Sequence, residues 1–340
     1  MSGSIHRNLG MELVRVTEAA ALACAPYMGR GDGKAGDRAA VDAMRAVLET
    51  VEMEGVVVIG EGEKDRAPRL FNGERVGTGD APALDLAVDP LEGTRLLASG
   101  RPNAISVIAA APRASLWDPG ASLYMDKLVV GREARDAIDL ERSPTENLHS
   151  ISEAIGRPVS ALTVFVLDKP RHEPLVAELR AAGARVSLHT DGDVMGALLA
   201  AVPGTGVDVL MGIGGTPEGV ISAVAVKALG AGMQGRRAPQ LEEERATLAR
   251  ALDPRQFGRV LTLDELVSAE DGFFAATAVT DSPFLDGVRY DDRLGVTTES
   301  LVIRTSSGSL RFIRGVHQLD PEHIFGTGNA AHVVAAASAG

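Results

Sequence analysis

Leu84-Asp-Leu-Ala-Val-Asp-Pro-Leu-Glu-Gly-Thr94 is the segment that decides the fold. Its apolar start predicts a buried strand, and Pro90 is expected to end the hydrogen-bonding ladder after Asp89. Glu92 follows three residues later, so a turn can bring both carboxylates to one metal centre. Gly93 and Thr94 are expected to open a helix whose free N–H groups can hold a phosphate. The segment therefore predicts an α/β protein with a metal and phosphate site at the end of a strand.

Helical and strand patterns alternate on both sides of this segment, which indicates an α/β class with mixed sheets. Helices are predicted over residues 9–25, from a cap near Asp37 to residue 51, and over residues 172–182, 194–201, 217–229 (capped by Thr216) and 241–252. Strands are predicted over residues 56–59, 105–111, 127–130, 162–167, 186–188, 207–211 and 273–279, and as a hairpin over 301–304 and 310–316. Pro158 is expected to begin a second unit. The predicted division is an N-terminal metal and phosphate unit, residues 1–157, and a C-terminal α/β unit, residues 158–340, that completes the site.

The composition excludes several classes of protein. The 340 residues include 34 basic and 46 acidic side chains, a net charge of −12, which makes the chain a poor generic binder of nucleic acid or anionic lipid. A single cysteine, Cys24, excludes an intramolecular disulfide and a multi-cysteine zinc site and suits a reducing cytosol. No uncharged apolar run reaches the roughly 18 residues of a membrane span, and no signal peptide is recognisable at the N-terminus. We therefore expect a cytoplasmic protein.

Acidic residues recur at the ends of predicted strands and on glycine turns. They are Glu61 and Glu63, Asp85, Asp89 and Glu92, Asp191 and Asp193, and Glu218. Each one alone is typical of a helix cap or a turn, but α/β sheets bind ligands at their strand ends. Carboxylates that converge there bind hard cations such as Mg²⁺ and Mn²⁺. Beside a phosphate cradle, such a cluster indicates metal-assisted hydrolysis of a phosphate ester.

The segment from Asp89 to Thr94 resembles the Asp-Pro-Ile/Leu-Asp/Glu-Gly-Thr signature of the metal-dependent, lithium-sensitive sugar and inositol phosphatases. Within that superfamily, the whole chain from about Leu9 to about His317 resembles the class II fructose-1,6-bisphosphatases, the bacterial type. Six motifs occur in the order of that family: Gly29-Arg-Gly-Asp32, Ile59-Gly-Glu-Gly-Glu63, Asp85-Leu-Ala-Val-Asp-Pro-Leu-Glu-Gly-Thr94, Lys169-Pro-Arg171, Asp191-Gly-Asp193 and Gly212-Ile-Gly-Gly-Thr-Pro-Glu-Gly219. One departure is visible, because Gly33 stands between Asp32 and Lys34 where the family often has lysine directly.

The resemblance implies a layered αβαβα fold and hydrolysis of the 1-phosphate of fructose 1,6-bisphosphate in gluconeogenesis and glycerol metabolism. It implies Mn²⁺ or Mg²⁺ bound by Asp37, Glu61, Asp89, Glu92 and Glu218, and catalytic roles for Thr94, Asp37 and Glu61. The scissile phosphate is expected to contact Glu92, Gly93 and Thr94. The sugar and the distal phosphate are expected to contact Tyr124, Lys169, Pro170, Arg171, Asp191, Gly192, Asp193 and Gly215. Family habit implies a homodimer or homotetramer.

The residues themselves are compatible with these roles. A metal pair lowers the pKa of a bound water and neutralises phosphate charge. Thr94, near an acid such as Asp37, can orient or deprotonate that water. Pro170 holds Lys169 and Arg171 in a fixed loop where both cations can reach one phosphate.

Three alternatives remain open beside this hypothesis. An NAD-dependent oxidoreductase is disfavoured because the string Gly31-x-Gly33-x-x-Gly36 follows a helix instead of a strand. A non-catalytic sugar-phosphate sensor on the same fold is disfavoured because all five metal carboxylates and Thr94 are retained. The sequence does not distinguish this hypothesis from a broader enzyme that also hydrolyses sedoheptulose 1,7-bisphosphate, or from a phosphatase of another sugar such as inositol. The two bisphosphates differ by one carbon, which changes binding by only ~1–3 kcal/mol.

Overall fold

The computed structural model describes residues 5–62, 69–291 and 295–319. Its strands are β1 Glu54–Ile59, β2 Arg75–Val76, β3 Ala83–Glu92, β4 Ile105–Pro112, β5 Tyr124–Val130, β6 Thr163–Leu167, β7 Arg185–His189, β8 Val209–Gly215, β9 Gly232–Arg237, β10 Val260–Thr262, β11 Phe273–Ala278, β12 Arg289–Asp291, β13 Gly295–Arg304 and β14 Ser309–His317. Its helices are α1 Leu9–Cys24, α2 Gly33–Leu48, α3 Thr94–Ala98, α4 Pro144–Ile155, α5 Glu173–Ala181, α6 Asp193–Ala201, α7 Thr216–Leu229, α8 Glu242–Ala251, α9 Pro254–Phe257 and α10 Leu263–Leu266. Among these residues no helix is both long and apolar enough to cross a membrane.

The chain forms two units whose division differs from the predicted boundary at residues 157 and 158. The first unit joins Met1–Leu116 to Ala269–Gly340, and the second is Trp117–Ser268. The difference has a physical cause. β11 pairs with β4 of the N-terminal half, Phe273 lying opposite Ala110, and a pairing between such distant parts of the chain leaves no local sequence signal.

The first unit contains a mixed sheet of eight strands in the order β12-β13-β11-β4-β3-β1-β2, with β14 paired to β13. β1 and β3 run parallel, and the remaining neighbours are antiparallel. Helices α1 and α2 pack on it through a shared apolar core that includes Leu13, Met44, Leu86 and Phe273. The predicted hairpin near the C-terminus is confirmed as β13 and β14.

The second unit contains a mixed sheet of six strands in the order β10-β9-β5-β8-β6-β7. β6 is parallel to both β7 and β8, whereas β5 is antiparallel to β8 and β9. Its core includes Leu128, Leu148, Val164 and Leu179. Two mixed sheets with flanking helices confirm the predicted α/β class.

Two local predictions, the start of α2 and the end of β3, were wrong in informative ways. Helix α2 begins at Gly33 and is capped by Asp32, whose Oδ1 accepts from the Ala35 N–H at 3.0 Å, so Asp37 lies inside the helix and not at its start. β3 does not end at Asp89, because a bulge between Asp89 and Glu92 accommodates Pro90 within the strand.

The other differences concern helix starts. Helix α4 was not predicted, although Ser143 and Glu146 form a capping box at its start. In α7 the cap position belongs to Gly215, and Thr216 is the first helical residue.

Candidate active site

The segment from Asp89 to Thr94 forms a compact turn at the end of β3 in the first unit. Asp89 Oδ1 accepts a hydrogen bond from the Leu91 N–H at 3.1 Å. Glu92 is the last residue of β3 and is 4% exposed. Gly93 has φ 89°, which glycine adopts without strain. Thr94 is the first residue of α3, and its Oγ1 donates to the Leu91 carbonyl at 3.2 Å. The Thr94 hydroxyl therefore does not cap the helix and is held over the turn that carries both carboxylates.

The motif from Gly29 to Asp32 packs against α3, so two of the predicted site motifs adjoin. Gly29 N–H donates to the Leu97 carbonyl and Gly31 N–H to the Ala98 carbonyl, both at 2.9 Å. A Cβ on Gly33 would lie 2.8 Å from Thr94 Cγ2 and 2.9 Å from the Thr94 carbonyl oxygen. Glycine therefore suits this position, since α2 begins in direct contact with Thr94.

Asp37 lies one helical turn beyond Gly33 and is half-buried. Burial raises the pKa of its carboxyl group, and the nearby Arg38 partly opposes the rise. A carboxylate that is costly to ionise in isolation is a suitable partner for a cation.

Glu61 follows β1 at the edge of the sheet where β3 also ends. β1 and β3 are parallel, with Ile59 opposite Ala87, so their carboxyl ends meet on one edge. The Glu61 N–H donates to the Leu70 carbonyl at 2.9 Å, which fixes the turn. Glu63, the other acid of this motif, lies outside the described residues.

Asp85, which the sequence placed among the candidate acids, has a structural explanation. It is buried on β3, where its carboxylate lies 3.2 Å from Arg113 Nε and accepts from the Ser115 N–H at 3.2 Å. Burial raises the pKa of Asp85, whereas these partners favour its charged form. Asp85 thus anchors the turn after β4.

In the second unit the structure brings together several residues predicted to bind the sugar and the distal phosphate. The Arg171 guanidinium carbon lies 5.3 Å from the centre of the Tyr124 ring. Arg171 Nε and Nη2 donate to the Ile213 carbonyl at 3.2 and 2.8 Å. Lys169 Nζ donates to the Thr190 carbonyl at 2.7 Å, directly before the turn of Asp191 and Gly192. Pro170 begins a 3-10 helix, Pro170–His172, which contains Arg171 and has Lys169 as its cap residue.

His172, which the sequence analysis missed, clamps this region. Its Nε2 accepts from the Ile213 N–H at 2.8 Å, so Nδ1 carries the proton and donates to the Leu167 carbonyl at 2.6 Å. Burial lowers the pKa of His172, which stays neutral in this network. Arg171 and His172 therefore hold the carbonyl and the N–H of the same strand residue.

Lys127, on β5, is the other residue that the sequence analysis missed. Its side chain is 2% exposed, and Nζ donates to Asp193 Oδ2 and, at 2.7 Å, to the Gly215 carbonyl. Asp193 Oδ2 also accepts from the Gly215 N–H at 3.1 Å. Asp193 is therefore largely committed to the interior, and its predicted contact with sugar stays a prediction. The only sequence signal was a lysine within the otherwise apolar end of β5.

The predicted metal ligands are divided between the units, with Asp37, Glu61, Asp89 and Glu92 in the first and Glu218 in the second. Within the described ranges, no group of three or more His, Cys, Asp or Glu side chains is arranged to hold a metal ion. The donors nevertheless fit a hard cation, because all are carboxylates. Glu218 Oε2 is buried and has no hydrogen-bond partner among the described residues, and burial raises the pKa of this carboxyl group. The complete ligand set stays a prediction.

Carboxylates at the ends of β1 and β3, and a lysine–arginine pair beside a tyrosine, are the kinds of side chain expected of a sugar-phosphate hydrolase on an α/β fold. The chain belongs to the family described as bacterial fructose-1,6-bisphosphatase, glpX-encoded, whose model matches residues 7–317. It is 41% identical over 328 residues to fructose-1,6-bisphosphatase 1 class 2 of Escherichia coli (strain K12), covering 93% of this chain and 97% of that protein. The fructose-1,6-bisphosphatase class 2 of Shigella flexneri matches with the same identity and coverage. The resemblance inferred from the six motifs is therefore confirmed, and the chain is a hydrolase of the fructose-1,6-bisphosphatase type.

Proposed function

We propose that the protein hydrolyses the 1-phosphate of fructose 1,6-bisphosphate to fructose 6-phosphate and phosphate with Mn²⁺ or Mg²⁺. The observation that supports this most is the arrangement of three family motifs in the first unit. The strands that precede Glu61 and Asp89 run parallel, so they end at the same edge of the sheet. Gly33, directly after Asp32, packs against Thr94 at the start of α3. Membership of the family supplies the substrate class.

The metal ions would be held by Asp37, Glu61, Asp89, Glu92 and Glu218, and when bound they supply an activated water and neutralise the phosphate's charge. Thr94 orients that water. Since its hydroxyl proton is donated to the Leu91 carbonyl, its oxygen lone pairs remain to accept a hydrogen bond from the water. The water oxygen bonds to phosphorus, the ester P–O bond breaks, and one proton of the water passes to the sugar oxygen, which leaves as a hydroxyl group.

The residues of the second unit recognise the rest of the substrate. Lys169 and Arg171 bind the phosphate that is not cleaved, with Tyr124 against the guanidinium. Asp191 and Gly192 contact the sugar, and Asp193 and Gly215, whose polar groups pair with each other and with Lys127, hold the backbone that lines this side of the site. Because the Ile213 carbonyl accepts two bonds from Arg171, the guanidinium is held in one orientation before substrate binds.

The cellular location, the metabolic role and the oligomeric state belong to the same proposal. We infer a cytoplasmic enzyme of gluconeogenesis and glycerol metabolism that acts as a homodimer or homotetramer and binds neither nucleic acid nor membranes. The net charge of −12 supports the last statement.

Two aspartates of β3 provide the test. Asp89→Asn removes a proposed metal ligand. Asp85→Asn, four residues earlier on the same strand, removes a carboxylate partner of Arg113. We expect Asp89→Asn to keep its thermal stability and lose turnover of fructose 1,6-bisphosphate, and Asp85→Asn to lose stability and keep kcat at low temperature. Phosphate release should require Mn²⁺ or Mg²⁺ and stop with a chelator. Metal-independent turnover, or an Asp89→Asn enzyme within a few fold of the parent, would refute the metal assignment.

A panel of substrates separates the remaining alternatives. Fructose 1,6-bisphosphate, sedoheptulose 1,7-bisphosphate and inositol 1-phosphate are assayed with the same enzyme and metal. Binding of the first compound without turnover would indicate a sensor and overturn the proposal.

A further inference from the structure

A buried polar cluster joins β5, α6 and the start of α7 in the second unit. Lys127 Nζ donates to Asp193 Oδ2 and to the Gly215 carbonyl, and Asp193 Oδ2 accepts from the Gly215 N–H. Asp193 is 7% exposed, so water does not compensate for a missing partner here. Both polar backbone groups of Gly215 are thus held by one ion pair.

The glycines of the segment 212–219 leave room for this cluster and for Glu218. A Cβ on Gly214 would lie 2.0 Å from Asp193 Oδ2, and one on Gly215 would lie 1.7 Å from Glu218 Oε2. A Cβ on Gly219 would lie 3.2 Å from Lys127 Cδ. Three of the four glycines therefore make close contact with the three charged side chains and allow the backbone to wrap around them.

The cluster fixes two parts of the proposed site with respect to each other. Asp193 begins α6 directly after the turn of Asp191 and Gly192. Gly215 is the cap residue of α7, and Glu218 lies in the first turn of that helix. Lys127 contacts both helix starts, and its charge is among those that act on Glu218.

We propose that Lys127 is a positioning residue that locks the sugar-binding turn to the start of α7 and so sets where the Glu218 carboxylate is presented. The expected effect of Lys127 on turnover rests on the proposed function, whereas its effect on the backbone of residues 213–219 does not. An ion pair needed only for folding would make a different prediction, because its loss would lower stability without changing kcat of the folded enzyme.

Lys227 provides a matched control within the same unit. Its Nζ also donates to a carboxylate and to a backbone carbonyl, those of Asp264 and Val267, both at 2.9 Å, and its side chain is 12% exposed. It lies at the far end of α7 from Glu218. Lys127→Met and Lys227→Met therefore each remove one carboxylate contact and one bond to a backbone carbonyl, although Asp264 is exposed, and only the first set touches the site.

Hydrogen exchange of peptides covering residues 213–219 tests the structural part without any substrate or metal. We expect exchange to accelerate in Lys127→Met and to stay at the parental rate in Lys227→Met. In the assay with fructose 1,6-bisphosphate and saturating Mn²⁺, we expect kcat to fall roughly ten- to a hundred-fold in Lys127→Met and less than about twofold in Lys227→Met.

The variant Lys127→Met leaves a buried carboxylate without its cation and can fail to fold, so a double variant is included. Lys127→Met/Asp193→Asn removes both charges and is compared with Asp193→Asn alone. We expect the double variant to fold and to have at least a tenfold lower kcat, because the Gly215 carbonyl has lost its donor.

Equal kcat values for these two proteins, or unchanged hydrogen exchange in Lys127→Met, would overturn the positioning role. Absence of turnover in the parent protein would instead refute the proposed function, and the hydrogen-exchange comparison would still decide the structural part.

Discussion

Gly215→Ala is expected to separate activity from stability, because the added methyl group meets a side chain and not the backbone. Its Cβ would lie 1.7 Å from Glu218 Oε2, and an ordinary contact begins at 3.4 Å, so the carboxylate has to withdraw by about 1.7 Å. The backbone at Gly215 has φ −71° and ψ 143°, which alanine adopts without strain.

The magnitudes follow from that displacement. A shift of ~1 Å in a catalytic group can cost about a hundredfold in rate, or ~2.7 kcal/mol of barrier. The free energy of unfolding should change by no more than ~1 kcal/mol, because two effects oppose each other. An off-rotamer Glu218 destabilises the folded protein by ~0.5–1.5 kcal/mol. Replacing glycine by alanine stabilises it by ~0.4–1 kcal/mol, since the unfolded chain loses conformational entropy. We therefore expect a folded enzyme with kcat reduced about a hundredfold and a higher Mn²⁺ concentration for half-maximal activity.

The assay measures phosphate release over a Mn²⁺ titration and thermal unfolding of the same samples. Gly258→Ala is the control, since Gly258 is in the same unit, has φ −98° and has no atom within 4 Å of an added Cβ. It should match the parent in both measurements. If Gly215→Ala kept the parental kcat and Mn²⁺ dependence, Glu218 would not act from the position that the structure gives it.

Three further predictions test other parts of the site. Arg171→Ala should raise KM for fructose 1,6-bisphosphate roughly ten- to a hundred-fold, because a charge-assisted hydrogen bond is lost. The KM for fructose 1-phosphate, which lacks the distal phosphate, should change little. An equal effect on both substrates would contradict binding of the distal phosphate by Arg171. Thr94→Ala should lower kcat by ~10²–10⁴ while Thr94→Ser retains part of the rate, and equal rates for the two variants would remove Thr94 from the mechanism. Stability should fall as pH drops below about 6.5, the usual pKa of histidine, because His172 has a lowered pKa when folded and the unfolded chain therefore binds more protons. Thermal unfolding from pH 8 to 5.5 should show a shallower decline for His172→Gln, and parallel curves would contradict this role.

The sequence alone determined the class, the family and most of the elements. The apolar run before Asp89 predicted a strand, the glycine after residue 229 predicted the end of α7, and the serine–glycine turn near residue 307 predicted the last hairpin. These features depend on residues close together in the chain, where periodicity and turn chemistry act. The six motifs added the family, because their order and spacing are too specific to arise from secondary structure alone.

Only the tertiary structure decided which polar residues hold the fold. Asp85 and Asp89 look alike in sequence, but Arg113 pairs with the first, whereas the second lies at a bulge near the end of β3. The sequence did not predict a role for Lys127, because its partners Asp193 and Gly215 lie 66 and 88 residues further along the chain. The role of a buried charge depends on what surrounds it, and for these residues the surroundings come from distant parts of the chain.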